Sequence, residues 1–169
     1  MLEYSKEFIL KASSIDEAIY VLFEHKETLD DTYGINQYTF TPWEKNKKTI
    51  KHFFVKDDDK IPPMFEHLIG GDQIRAKMKM EKIVNNDNSV IIKCKIIPKI
   101  VGASFIKIKP KYTFKNTTQG IFVHIHCCLK AYLPEGMKEQ CEKVMQEKSN
   151  DIVSFIYNSL IKQNKINLP

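Results

Sequence analysis

From Ile121 to Tyr132 every second residue is apolar without a break. One row holds Ile121, Val123, Ile125, Cys127, Leu129 and Ala131; the other holds Phe122, His124, His126, Cys128, Lys130 and Tyr132. Successive side chains of a strand point to opposite faces, so this segment predicts a long strand with one buried face. Gln73–Val84 repeats the pattern, with Ile74, Ala76, Met78 and Met80 set against Arg75, Lys77, Lys79 and Glu81. Val90, Ile92, Cys94 and Ile96 stand opposite Lys93 and Lys95, and Ser104–Phe114 sets Ile106 and Ile108 against Lys107 and Lys109. The runs are separated by Asn85-Asn86-Asp87-Asn88 and by Asn116-Thr117-Thr118-Gln119-Gly120, rich in residues that tolerate left-handed turn geometry. Shorter strands are predicted over Leu2–Ala12, Gln37–Trp43 and Lys48–Lys56, the last two joined by Glu44-Lys45-Asn46-Lys47.

Elsewhere the period lengthens to that of a helix. Ser13 and Ser14 precede Asp16 and Glu17 at capping-box spacing, and Ile15, Ala18, Ile19, Leu22 and Phe23 then share one helical face. His25 to Asp31 adds a turn or two before Gly34. Pro134 stops the last strand and starts a helix from Glu135 to about Gln163. Its apolar positions, Met137, Cys141, Val144, Met145, Ile152, Ile156 and Leu160, keep to one side over about 42 Å. The order is strand, one or two short helices, six strands, long helix, with no repeat or boundary. It predicts one α+β domain over residues 1–169, in which the long helix covers the apolar face of an antiparallel sheet of about seven strands.

Composition narrows the class. With 43% hydrophobic and 28% charged residues the chain is globular, which excludes a disordered or fibrous protein. The net charge of +5 hides a concentration: residues 75–115 hold 11 Lys or Arg against two acids, Glu81 and Asp87. Strand alternation puts most of these on the outer face. That face is either a solvated surface that discourages edge aggregation or a site for anionic lipid headgroups, at about 1 kcal/mol per basic residue. Lys107, Lys109 and Lys111 are the candidate membrane-facing residues. Few aromatics interleave with the lysines, so no nucleic-acid partner is expected. The four cysteines, Cys94, Cys127, Cys128 and Cys141, form no CxxC pair and read as thiols of a reducing cytosol. MLEYSKEFIL lacks signal-peptide organisation, and no apolar run approaches the ~18 residues of a membrane span. The expected location is cytoplasmic, peripheral at membranes.

This order of elements resembles the helix-grip proteins of the START-like superfamily. Within it the chain distantly resembles the VASt domains of sterol transporters at membrane contact sites. The resemblance is carried by Tyr20-Val21-Leu22-Phe23 ending the first helix, the strand-end Trp43, and a Lys-rich strand ending Phe53-Phe54-Val55. Ile61-Pro62-Pro63-Met64-Phe65 falls where that family places its lid. The chain departs before the lid, where an Arg followed by an aromatic is expected and His52-Phe53 stands instead. The resemblance implies a cavity between sheet and long helix that holds one apolar molecule, a lipid or sterol, for transfer between membranes. The same fold hosts cyclases, and a filled core would leave an interaction module.

On that reading the inward rows supply the cavity wall. The candidates are Met78, Met80, Ile92, Cys94, Ile106, Ile108, Val123, Ile125 and Cys127 from the strands, and Val144, Ile152 and Ile156 from the helix. Any one of them is equally at home in a packed core. The lid candidates are Ile61, Met64, Phe65, Leu68 and Ile69, bracketed by Pro-Pro and Gly-Gly; a short helix packed on the sheet would use the same residues. His124, His126 and Cys128 share a strand face, but no spaced carboxylate completes a metal set. Glu66 and His67 fall in the lid, and Asp16 and Glu17 serve capping. No nucleophile adjoins a base, so no catalytic residue, metal or cofactor is expected.

Overall fold

The computed structural model describes residues 2–55, 73–98 and 106–166. The lid candidates Ile61, Met64, Phe65, Leu68 and Ile69 lie outside the described residues, as do the side chains of Ile106 and Val144. In chain order the elements are β1 (Leu2–Leu10), α1 (Ile15–Phe23), α2 (Lys26–Tyr33), β2 (Tyr38–Phe40), β3 (Lys47–Val55) and β4 (Gln73–Val84). They continue as β5 (Val90–Pro98), β6 (Ile106–Thr117), β7 (Gly120–Ala131) and a C-terminal helix, α3 (Glu135–Lys162). The order expected from hydrophobic periodicity is the order observed. All strands pair antiparallel in one sheet, β1-β7-β6-β5-β4-β3-β2. The N-terminal strand thus closes on the last one, from Leu2 opposite Leu129 to Leu10 opposite Ile121.

Several boundaries differ from the sequence expectation: β1 stops at Leu10, short of Ala12, and α2 runs on to Tyr33, past Asp31. The β6–β7 pairing runs on to Thr117 opposite Gly120, so the turn shrinks to Thr118-Gln119. β2 ends at Phe40 instead of reaching Trp43, because Pro42 has no N–H to offer the ladder.

α1 begins as its sequence dictates. Ser14 Oγ accepts from Glu17 N at 3.1 Å, and the Glu17 carboxylate accepts from Ser13 N at 2.7 Å and Ser13 Oγ at 2.6 Å. These hydrogen bonds hold Glu17 below the usual carboxylate range. The apolar face of α1 is buried, and Phe23 meets Tyr112 of β6 edge-on with ring centroids 4.9 Å apart.

α3 is held near both ends. Toward its start, Glu142 Oε1 accepts from Ala131 N at 3.1 Å, and Gln146 Nε2 donates to Glu3 O at 3.1 Å. At its end, Asp31 of α2 accepts from Ser159 Oγ at 2.6 Å and faces Lys162 Nζ at 2.7 Å. Gln163 Nε2 donates to Thr28 Oγ1 at 2.9 Å. Along the same helix Val153, Ile156 and Leu160 are buried.

Gly120 closes the β6–β7 hairpin at φ +140°, and a Cβ there would sit 2.6 Å from Leu10 O of β1. The turn therefore depends on glycine for both backbone angle and the approach of β1. Gly120→Ala is expected to cost about 1–3 kcal/mol, read as a lower urea midpoint. Gln119→Ala, one residue away and exposed, is expected to leave the midpoint unchanged.

Candidate functional site

The pleat sends one row of each strand toward α3. Parts of that inner surface close over as core, and one region opens as a cleft of about 350 Å³, mouth included. Its walls are Tyr33 of α2, His52 of β3, Met78 of β4, Ile96 of β5, Pro110 and Tyr112 of β6, Cys127 of β7, and Ser149, Ile152 and Val153 of α3. The cleft is narrow, and its closed part takes about one water.

Register explains how these residues meet. Met78 of β4 lies opposite Ile96 of β5, and Pro110 of β6 opposite Cys127 of β7. His52 opposes Ala76, one inward step along from the Ile50–Met78 pair. On α3, Ser149, Ile152 and Val153 are three and four residues apart, so they face the sheet together.

Of the cavity candidates read from sequence, Met78, Cys127 and Ile152 line this cleft. Met80, Ile92, Cys94, Ile108, Val123, Ile125 and Ile156 are buried in the hydrophobic core beside it. Tyr33, His52, Ile96, Pro110, Tyr112, Ser149 and Val153 line the cleft without having been singled out for it. Three of them were legible, among them Ile96, which closes the apolar row Val90, Ile92, Cys94. Tyr112 continues the inward row Ile106, Ile108, and Ser149 sits on the stripe that carries Ile152, Ile156 and Leu160. His52 was masked by its strand, where Lys47, Lys48, Lys51 and His52 make both faces look polar.

The walls combine apolar surface with polar groups that are uncharged at neutral pH. Burial pushes the His52 imidazole down to about 4, and its ring lies against Tyr33 with centroids 4.7 Å apart. Burial raises the phenols of Tyr33 and Tyr112 far above their ordinary range. The Cys127 thiol is pushed up to about 11 by burial, against a hydrogen bond from Ser149 that lowers it. Cys127 is therefore a thiol and a poor nucleophile at neutral pH. Among the described residues no Lys, Arg, Asp or Glu lines the cleft.

Among the described residues Lys48 is the buried cation of the inner face, and it stands apart from the cleft lining. It is 2% exposed, and Nζ donates to Thr41 O at 2.6 Å, faces Glu24 at 3.4 Å and lies 4.3 Å from the Phe40 ring centre. Desolvation lowers its pKa and Glu24 opposes that. Its role is to tie the end of α1 to the β2 edge.

The outer face is the reverse of the inner one. Lys107, Lys109 and Lys111 are exposed there. Lys51 opposes Lys77, Lys79 opposes Lys95, Lys93 opposes Lys111, and Lys107 opposes Lys130 across the strands. Like charges directly opposite destabilise a sheet. Tyr132 offsets part of this, with Lys107 and Lys130 at 5.1 and 4.8 Å from its ring centre. His124 and His126 occupy the same face toward β1, where His124 Nε2 is 2.6 Å from Ser5 Oγ and His126 Nε2 is 3.7 Å from Glu3. Among the described residues no group of three or more His, Cys, Asp or Glu side chains is disposed to hold a metal. No described helix is long and apolar enough to cross a membrane.

A seven-stranded antiparallel sheet gripping a long C-terminal helix, with two short helices after the first strand, is the helix-grip fold of START-like proteins. Solved structures share it along nearly the whole chain. A STAR-related lipid transfer protein from Xanthomonas axonopodis matches at TM-score 0.59 and 10% identity, covering 94% of this chain and 85% of its own. An aromatase/cyclase from Streptomyces sp. R1128 matches at TM-score 0.56 and 8% identity, covering 97% and 94%. Ginseng major latex-like protein 151 from Panax ginseng matches at TM-score 0.51 and 13% identity, covering 98% of each chain. At such identities the likeness establishes the fold. No family model and no curated protein matches the sequence.

The state of His52 has a measurable consequence. Its folded pKa lies below the unfolded value of 6.5, so the unfolded chain takes a proton first as pH falls. Stability from this group is full above about pH 6.5 and is lost as pH drops toward 4, by about 3 kcal/mol at most. In an NMR titration the His52 ring is expected to stay neutral through pH 5, while the unfolding midpoint falls over the same window. A ring that titrates near 6.5 contradicts the buried neutral imidazole.

Proposed function

We propose that this chain binds one hydrophobic molecule, a lipid or sterol, in the cleft between the sheet and α3 and transfers it between membranes without converting it. On this reading residues 1–169 act as one START-like domain in the cytoplasm, peripheral at membranes. The observation that carries the reading is the cleft itself. Five strands and two helices contribute to its walls, and Met78, Ile96, Pro110, Ile152 and Val153 make them largely apolar. The fold shared with a STAR-related lipid transfer protein supports it.

Native mass spectrometry of protein purified from cells is the direct test, and a co-purified apolar molecule is the expected result. A variant adds the location. Cys127→Trp places a large ring in the cleft wall, and overpacking of a filled core costs about 1–3 kcal/mol. Here the open mouth of the cleft can take part of the ring, while its closed part holds about one water. Uptake of a fluorescent sterol or fatty acid is expected to drop by about tenfold or more, with a smaller loss of stability than a filled core would show. A variant that unfolds, together with wild-type protein that takes up no probe, favours a filled interaction module.

The basic outer face supports contact with anionic membrane. Liposome binding is expected to rise with anionic lipid and fall with salt, because exposed charges are screened over ~8–10 Å at physiological ionic strength. Replacing Lys107, Lys109 and Lys111 with Glu is expected to weaken it further. Binding indifferent to lipid charge and salt leaves the face as a solvated surface.

A cyclase-type enzyme is the second reading, favoured by His52, Tyr33 and Tyr112 in the cleft and by the fold shared with an aromatase/cyclase. Against it, an imidazole with a pKa of about 4 is a weak general base at neutral pH. The two readings separate on the fate of the ligand: a carrier returns it unchanged after prolonged incubation, and an enzyme alters its mass or its carbon skeleton.

A further inference from the structure

We infer that the cleft selects an uncharged molecule, apolar over most of its surface and bearing a hydroxyl or carbonyl group that Tyr33, His52, Tyr112 and Ser149 receive. The inference rests on the ligand cleft proposed above and specifies its occupant. Four polar side chains converge on one cleft from four elements: Tyr33 from α2, His52 from β3, Tyr112 from β6 and Ser149 from α3. Each offers hydrogen-bonding capacity as a neutral group, since hydroxyls both donate and accept and neutral imidazole does one at each nitrogen. His52 is 2% exposed and Tyr112 3%, so water competes little with a ligand there.

Charge is excluded by the same geometry. A carboxylate or ammonium brought into the cleft gives up its hydration and needs an opposite charge in return. Among the described residues the cleft lining supplies none. Apart from Lys82, which stands at the Trp43 end of the inward row of β4, the basic residues of β4, β5 and β6 lie on the other side of the pleat. A neutral hydroxyl or carbonyl asks only for a hydrogen bond.

Matched pairs test this with the whole chain at pH 7.4 and physiological salt: dodecan-1-ol against dodecanoate, and 1-naphthol against 1-naphthoate, followed by calorimetry. The alcohol of each pair is expected to bind at least about tenfold more tightly than the carboxylate. Tyr112→Phe removes one hydroxyl without changing ring shape. It is expected to weaken the alcohols by about two- to tenfold, and to leave naphthalene unchanged. Where that variant folds poorly, Ser149→Ala serves the same comparison.

Carboxylates that bind as tightly as their alcohols overturn the charge selection and leave the cleft proposal standing. Alcohol binding that survives Cys127→Trp lies outside the cleft and also overturns the inference. If neither member of either pair binds and no ligand co-purifies, the inference falls together with the function on which it rests.

Discussion

The architecture depends on how the apolar face of the sheet is covered. A helix of 28 residues, about 42 Å long, lies across it and is fixed near both ends. The Ala131–Glu142 and Glu3–Gln146 hydrogen bonds fix one end, and the Asp31 contacts with Ser159 and Lys162 fix the other. Since the sheet twists beneath one long helix, contact cannot be equally close along the whole length. Leu160 and Ile156 are packed to 0% and 2% exposure, whereas Ser149, Ile152 and Val153 border the cleft. The short helix α2 therefore serves the site as well as the fold. It carries Asp31 for the clasp and Tyr33 for the wall, two residues apart.

Pro110 adds a second constraint. It stands inside β6, a strand with neighbours on both sides, where proline is ordinarily disfavoured because it cannot donate to the ladder. Toward β7 the pairing continues through Pro110 opposite Cys127. Toward β5 it runs from Val90–Phe114 to Lys93–Lys111 and resumes at Ile96–Ile108. The interruption falls beside Ile96 and Cys127, at the cleft wall. A residue that costs sheet stability thus sits where the sheet borders the cleft, the kind of local conflict expected near a functional site.

Much of the fold was legible because period-2 alternation survives in the chain almost unbroken. Met78 and Met80 against Lys77 and Lys79, or Ile125 and Cys127 against His124 and His126, fix the face of each strand. Period 3.6 likewise placed α3 to within a residue of its observed end. The cleft was less legible, because inward-facing is necessary for lining it and far from sufficient. Ile92, Ile125 and Ile156 point inward and are sealed in the core, while Met78, Cys127 and Ile152 reach the opening. What separates them is the position of α3 over the sheet, which no local pattern encodes. His52 and Lys48 show a further limit. Both are polar, both are 2% exposed, and their burial depends on partners distant in sequence.

The same alternation gives the sheet two electrostatic personalities that are separable by mutation. Along β4 the outer positions Arg75, Lys77 and Lys79 carry charge, while Met78 and Met80 between them are buried among apolar neighbours. A slip of one residue in register would exchange the two faces and bury a row of ammonium groups. The basic face acts at a distance of about a Debye length and responds to salt; the neutral cleft acts by desolvation and hydrogen bonding and does not. An anionic surface would draw the molecule in by its outer lysines, and the cleft would still refuse the charged groups of that surface. For a protein that takes an apolar molecule from a charged membrane, that division of labour is the useful one. On the proposed function, attraction to the headgroups and selection of the ligand would be made by opposite sides of the same strands.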